Sequence, residues 1–197
     1  MLFLTIECST PLETVALVDG SSVLAEISSV AGRGRTDELL ASVRAILGTS
    51  KLSLADLDAI AVSIGPGRFT GLRVGLATAK GLALTTGLPV VPVPTLEALA
   101  LTAQPYWPNA EALVAPMLDA RRGEVYAALF RATRELPRLS PDVALAPQAF
   151  LARVVDRAGD APVVFAGTGA TLYGREIREA AGGQALLPGE RATRPGP

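Results

Sequence analysis

Apolar residues recur along this chain in two rhythms. Short continuous runs read as strands at residues 2–6, 14–18, 23–28, 59–64, 88–93, 113–118, 124–130 and 163–166. Stretches with apolar positions every third or fourth residue read as helices at 36–47, 71–86, 95–102, 147–158 and 171–181. Asp19-Gly20 marks a tight hairpin between the second and third strands. Thr36 is placed to cap the first helix, with Asp37 and Glu38 at its positive end, and Gly48 to stop it. Thr95 is placed to cap the short helix that follows the fifth strand, and Gly87 to end the helix before it. Gln104-Pro105-Tyr106-Trp107-Pro108-Asn109 breaks every periodicity, which predicts two lobes, 1–104 and a smaller 105–197. Both halves run hairpin, helix, strand, glycine turn, helix, a repeat of element order without repeated residues. Residues 131–146 read as irregular, and 182–197, rich in Gly, Pro and Arg, as poorly ordered.

The helix at 71–86 is the least ordinary element. It carries Gly71, Gly75 and Gly81 inside it, each costing about 1 kcal/mol against alanine. At 100° per residue, Arg73 and Lys80 share a narrow stripe. Gly71, Gly75, Thr78 and Leu82 lie opposite, and Leu72, Leu76, Ala79 and Ala83 form a second apolar sector beside them. A helix resting on one sheet needs one apolar stripe, so this one should be covered on more than one side. Either its own domain encloses it, the glycines letting a sheet approach, or one sector faces another chain. The helix at 36–47 is apolar over a broad face too, through Leu39, Leu40, Val43, Ile46 and Leu47. Two such helices could meet a matching pair from a partner. On that reading the interface is Leu39, Leu40, Val43, Leu47, Gly71, Leu72, Gly75, Leu76, Thr78 and Leu82.

Composition narrows the chemistry. There is no histidine and a single cysteine, Cys8, in 197 residues. That removes His-dependent triads, His general bases, His/Cys zinc sites and any intramolecular disulfide. Eighteen basic against 19 acidic residues give a net charge of -1, a poor balance for binding nucleic acid unaided. No apolar stretch approaches membrane-spanning length, and Met1-Leu2-Phe3-Leu4 lacks the basic flank of a signal peptide, so a cytoplasmic protein without membrane contact is expected. Three glycine or hydroxyl turns could cradle a phosphate: Glu7 with Ser9 after the first strand, Gly65, Gly67 and Arg68 after the fourth, and Gly167 with Gly169 near the end. Asp119 in the second-half hairpin could supply another carboxylate. None has phosphate-loop spacing, and each turn is equally explained by positive φ or close packing. A phosphotransferase or ATPase built on Glu7 and Asp119 is therefore the enzymatic alternative, whereas the docking reading calls for no cofactor and no metal.

Residues 63–83, with Gly65-Pro66-Gly67-Arg68-Phe69-Thr70-Gly71-Leu72-Arg73 at their centre, resemble the signature of the bacterial TsaB (YeaZ) family. Asp119-Ala120-Arg121-Arg122-Gly123-Glu124-Val125-Tyr126 is similar to that family's second-lobe hairpin, and Ala166-Gly167-Thr168-Gly169 to its late glycine turn. The resemblance implies an α/β fold of ASKHA type, two ribonuclease-H-like lobes of mixed sheet and helix as in actin, Hsp70 and sugar kinases. It implies a non-catalytic subunit in making threonylcarbamoyladenosine on tRNA, pairing with the catalytic paralogue TsaD and with the ATPase TsaE, dimerising when alone, and reaching tRNA only through the complex. The paralogue's metal site needs two histidines, which this chain lacks. The family's interfaces fall where the two helices above lie. Three positions depart from the pattern. Glu7 stands for the usual Asp, Arg68 for a Ser, and Arg35 for a frequent His. Relatives also continue with a terminal helix for which residues 190–197 offer no counterpart.

Overall fold

The computed structural model describes residues 1–30 and 36–188, with side chains from 38 onward in the second stretch. Arg35 and the side chains of Thr36 and Asp37, including the expected cap, lie outside the described residues. The chain divides into two compact units, Met1–Thr95 and Leu96 onward. The boundary lies before residue 104 because Leu96, Leu99, Ala100 and Ala103 are buried with Val114, Phe130 and Val164 of the second unit.

In the first unit, β1 (Leu2–Glu7), β2 (Leu12–Asp19) and β3 (Ser22–Val30) form an antiparallel meander. The helix α1 (Thr36–Ser50), the strand β4 (Ala59–Gly65), the helix α2 (Phe69–Thr86) and the strand β5 (Val90–Pro94) follow. β4 joins β1 in parallel and β5 joins β4, giving the order β3-β2-β1-β4-β5. Alternate residues Leu4, Ile6 and Cys8 of the first strand and its end pack with Leu39, Val43, Ile46, Leu47 and Ala79, so α1 and α2 cover one face of the sheet.

The helix α1 runs past Gly48, which is left inside it with open space around it. Lys51 takes the left-handed position instead, at φ 55°. Its N–H donates to the Gly48 carbonyl and that of Leu52 to Leu47, the paired bonds of a helix stop normally built on glycine. Gly87, at φ 75°, ends α2 as expected.

The helix α3 (Thr95–Thr102) leads into the second unit, and its cap does not form: among the described residues the buried Thr95 hydroxyl has no hydrogen-bond partner. There follow β6 (Leu113–Arg121), β7 (Glu124–Ala127), β8 (Phe130–Arg131), β9 (Val143–Leu145), α4 (Pro147–Ala158), β10 (Val163–Ala166), α5 (Thr168–Leu172), α6 (Gly174–Ala181) and β11 (Ala185–Leu186). The helix expected at 171–181 is two helices broken at Tyr173, and β11 pairs with β10 in a stretch whose composition predicts poor order. The sheet order is β9-β7-β6-β10-β11, with β8 also on β6. Element for element this repeats the first sheet, so the weak repeat in the sequence is a repeat of topology.

Candidate functional site

At the end of β1, Glu7 is buried, and its Oε1 accepts a 2.6 Å bond from the Ser9 N–H and a short bond from the Ser9 hydroxyl. Burial pushes the Glu7 carboxyl above its ordinary 4.5, against the opposing pull of the Ser9 bonds. The Arg68 N–H donates to the Ser9 carbonyl at 2.7 Å, and the Cys8 N–H to the Ser63 hydroxyl at 3.3 Å. Cys8 is fully buried; burial first, then the negative charges of Glu13 and Glu7, push its thiol up to about 12. It is a core thiol.

The glycines of this turn have a packing cause. A Cβ at Gly67 would lie 2.7 Å from the Ser9 Cβ, and one at Gly71 would overlap the Cys8 carbonyl oxygen. One at Gly75 would stand 3.3 Å from the Cys8 Cβ. The backbone of α2 lies almost against the end of β1, and only glycine permits that. The second unit repeats the device. Gly167, at φ 101°, and Gly169 press on Met117 of β6, a Cβ at Gly169 falling 3.0 Å from the Met117 carbonyl carbon. Gly65 sits at φ 99°, the same left-handed turn after the equivalent strand.

Asp119 is occupied locally: its Oδ1 accepts from the Arg121 N–H at 2.8 Å, and its carboxylate pairs with the Arg121 guanidinium at 3.4 Å. Its own N–H donates to the Thr168 hydroxyl. Glu7 and Asp119 belong to different units. Both carboxylates thus serve the turns they stand in.

The helix faces read from the sequence are real, but their direction is reversed. Leu39, Val43 and Leu47 are buried in the first unit's own core, and Gly71, Gly75 and Thr78 are turned onto the sheet. Leu40, Leu72, Leu76 and Leu82 are half-buried. The outward side of α2 is the one marked by Arg73 and Lys80. Phe69, Arg73, Ala77, Lys80, Gly81 and Leu84 are exposed and fall within roughly a third of the helix circumference. Phe69 is 73% and Leu84 87% exposed, costly for large apolar side chains facing water. Arg73 lies over the Phe69 ring, 5.2 Å from its centroid. Beyond the helix's own backbone, no described atom comes within 4 Å of a Cβ placed at Gly81. Unlike Gly71 and Gly75, Gly81 has no packing cause within the described chain.

Residues 27–170 match the family model described as "TsaD: tRNA N6-adenosine threonylcarbamoyltransferase". The solved structure of YeaZ from Pseudomonas aeruginosa superposes with a TM-score of 0.75 at 32% identity, covering 89% of this chain and 79% of that one. The chain belongs to the TsaB (YeaZ) family. The tRNA threonylcarbamoyladenosine biosynthesis protein TsaB of Bacillus subtilis is 29% identical over 188 residues, 95% of this chain and 80% of that protein. The TsaB of Escherichia coli is 41% identical over 127 residues, and that match spans about half its length (53%). The fold is accordingly of ASKHA type, as the signature at 63–83 implied. For a TsaB-family chain, the sequence shows which α2 residues share a stripe and leaves open which stripe the sheet claims. The signal that decides it is the i, i+4 pair Gly71 and Gly75, which marks a close backbone approach, whereas Phe69, Gly81 and Leu84 share no such pairing.

Proposed function

We propose that this protein is a non-catalytic docking subunit in threonylcarbamoyladenosine biosynthesis, binding and activating a TsaD-like catalytic paralogue. The names of its relatives supply the pathway. The observation that carries the docking role is the outer stripe of α2, where large apolar side chains stand in water beside a glycine with no packing cause among the described residues. Ala77 and Gly81 let a partner helix approach closely, Phe69 and Leu84 supply apolar area, and Arg73 and Lys80 suit carboxylates on the partner's rim. Alone, the same stripe would pair two copies of the chain, and the paralogue would displace the second copy. A TsaE-like ATPase completes the complex, and tRNA is met through the assembly because this chain carries a net charge of -1. Among the described residues no helix is long and apolar enough to cross a membrane.

The alternative, ATP chemistry on Glu7 and Asp119, draws little from the geometry, because the turn glycines are explained by packing and each carboxylate is hydrogen-bonded within its own turn. The test is reconstitution. Threonylcarbamoyl transfer to tRNA is measured with a TsaD-like and a TsaE-like protein, with and without this chain. Transfer that depends on the chain and survives Glu7→Gln and Asp119→Asn supports the reading. Transfer unaffected by omitting the chain, or abolished by Glu7→Gln in a folded variant, overturns it.

A further inference from the structure

A second feature lies wholly within the second unit, away from α2. A cavity of about 230 Å³ opens between α4 and the segment that leads into β9. Its floor is Leu129, Phe150 and Val154, all buried core residues, and Leu139 and Val143 wall it. The wall is fixed. Leu139 and Ser140 both donate to the Leu129 carbonyl, at 2.7 and 3.3 Å, and the Leu129 N–H donates to the Ser140 hydroxyl at 2.9 Å. That hydroxyl donates onward to the Pro141 carbonyl. Arg138, stacked 4.6 Å over the Phe130 ring and paired with Asp142, holds the segment from its other side.

These contacts decide what the cavity can hold. The Leu129 amide and carbonyl, the Leu139 amide and the Ser140 hydroxyl already have partners, so water entering beside them gains little and is poorly held. The rim is charged. Arg153 and Arg157 of α4 both line the mouth, one helical turn apart, and neither has an ion pair or hydrogen bond among the described residues. Like charges at this spacing repel, and an anion bound between them would reverse the sign. A guanidinium offers a planar fork that matches a carboxylate. Asp156 stands on the same rim and limits the excess to a single positive charge, which favours a monoanion.

We propose that this cavity is a binding site for a small amphipathic monoanion, an apolar body against Leu129, Phe150 and Val154 with a carboxylate-type head held by Arg153 and Arg157. The inference does not depend on the docking role of α2. A ligand of this size reaches a Kd on the order of 1 mM.

The test is a ¹H–¹⁵N and methyl NMR titration of the full chain with 4-phenylbutyrate, alongside its neutral counterpart 4-phenylbutanol. The expected result is saturable shifts centred on Leu129, Val143 and Val154, with the alcohol binding about tenfold more weakly. The double variant Arg153→Gln/Arg157→Gln alters exposed side chains only, and should weaken the acid to the level of the alcohol. No saturation by 4-phenylbutyrate up to about 20 mM, or shifts centred elsewhere, would overturn the site. Equal binding of acid and alcohol to the wild-type chain would overturn the anionic head.

Discussion

Substituting alanine for two glycines of the same helix should give effects of opposite sign. Gly81 lies in the interior of α2 with open space within 4 Å of where a methyl would project, so Gly81→Ala meets no obstacle and recovers helix propensity worth about 1 kcal/mol. For a chain of this length that corresponds to a rise in Tm of about 2–4 °C. At Gly71 the same methyl overlaps the Cys8 carbonyl oxygen, and a backbone atom cannot turn aside as a side chain can. The helix must lift from the end of β1, loosening a contact on which Ile6, Cys8 and Ala79 depend. Overpacking against a backbone atom that cannot turn aside belongs at the top of the range of roughly 1–3 kcal/mol, and the propensity gain of about 1 kcal/mol offsets part of it, leaving a net loss of about 2 kcal/mol. Calorimetry and urea unfolding of the two variants, at concentrations where the chain sediments as a monomer so that pairing through Gly81 does not enter, measure both. A Gly81→Ala variant less stable than wild type, or a Gly71→Ala variant as stable, would refute the assignment of inner and outer faces on which the docking stripe rests.

Three further outcomes follow from local geometry. Glu7 has a folded-state pKa above its ordinary 4.5, so the cost of its charge is absent below 4.5 and grows as pH rises through the folded value. Gln keeps an oxygen for Ser9, so the Tm of Glu7→Gln relative to wild type should climb with pH above 4.5; a flat or falling difference contradicts the burial argument. Cys8, its thiol held up at about 12 and fully buried, should resist iodoacetamide at pH 8 in the native protein and react once unfolded in urea, whereas rapid native labelling would contradict its place in the core. Lys51→Gly should relieve the left-handed residue that closes α1 and raise stability by about 1 kcal/mol in thermal melts, and a loss would show that the Lys51 side chain contributes more than its backbone strain costs.

Much of the fold is legible in the sequence because each strand announces itself as a compact apolar run between turn residues. The α2 stop at Gly87 and the span of α4 follow directly from pattern. Sequence and structure part where backbone geometry outweighs residue type. Gly48 has the chemistry to stop α1, yet Lys51 closes the helix because its backbone satisfies the last carbonyls. Thr95 has the chemistry of a cap, but tertiary burial strands its hydroxyl. The Pro-rich break near 104 suggests the lobe boundary, whereas the apolar face of α3 commits that helix to the second core from Leu96. For the site, the helical wheel marks the outward stripe by Arg73 and Lys80 but not which of the two remaining sectors presses on the sheet, since both of those are apolar and small. Only the i, i+4 spacing of Gly71 and Gly75 separates the glycines pressed on the strand end from Gly81, which faces outward. The cavity beside α4 leaves no mark on the sequence, because Leu129, Val143 and Val154 are brought together from separate elements.

The central claim is that the outer stripe of α2 docks another polypeptide. Sedimentation velocity of the full chain, alone and mixed with a TsaD-like protein, compared with an Ala77→Glu/Leu84→Glu variant, tests it most directly. Both positions are exposed, so the variant should keep the wild-type fold, checked by far-UV circular dichroism. The account predicts that wild type forms a self-dimer and a heterodimer, and that the variant sediments as a monomer in both experiments. A folded variant that still forms both species would contradict it.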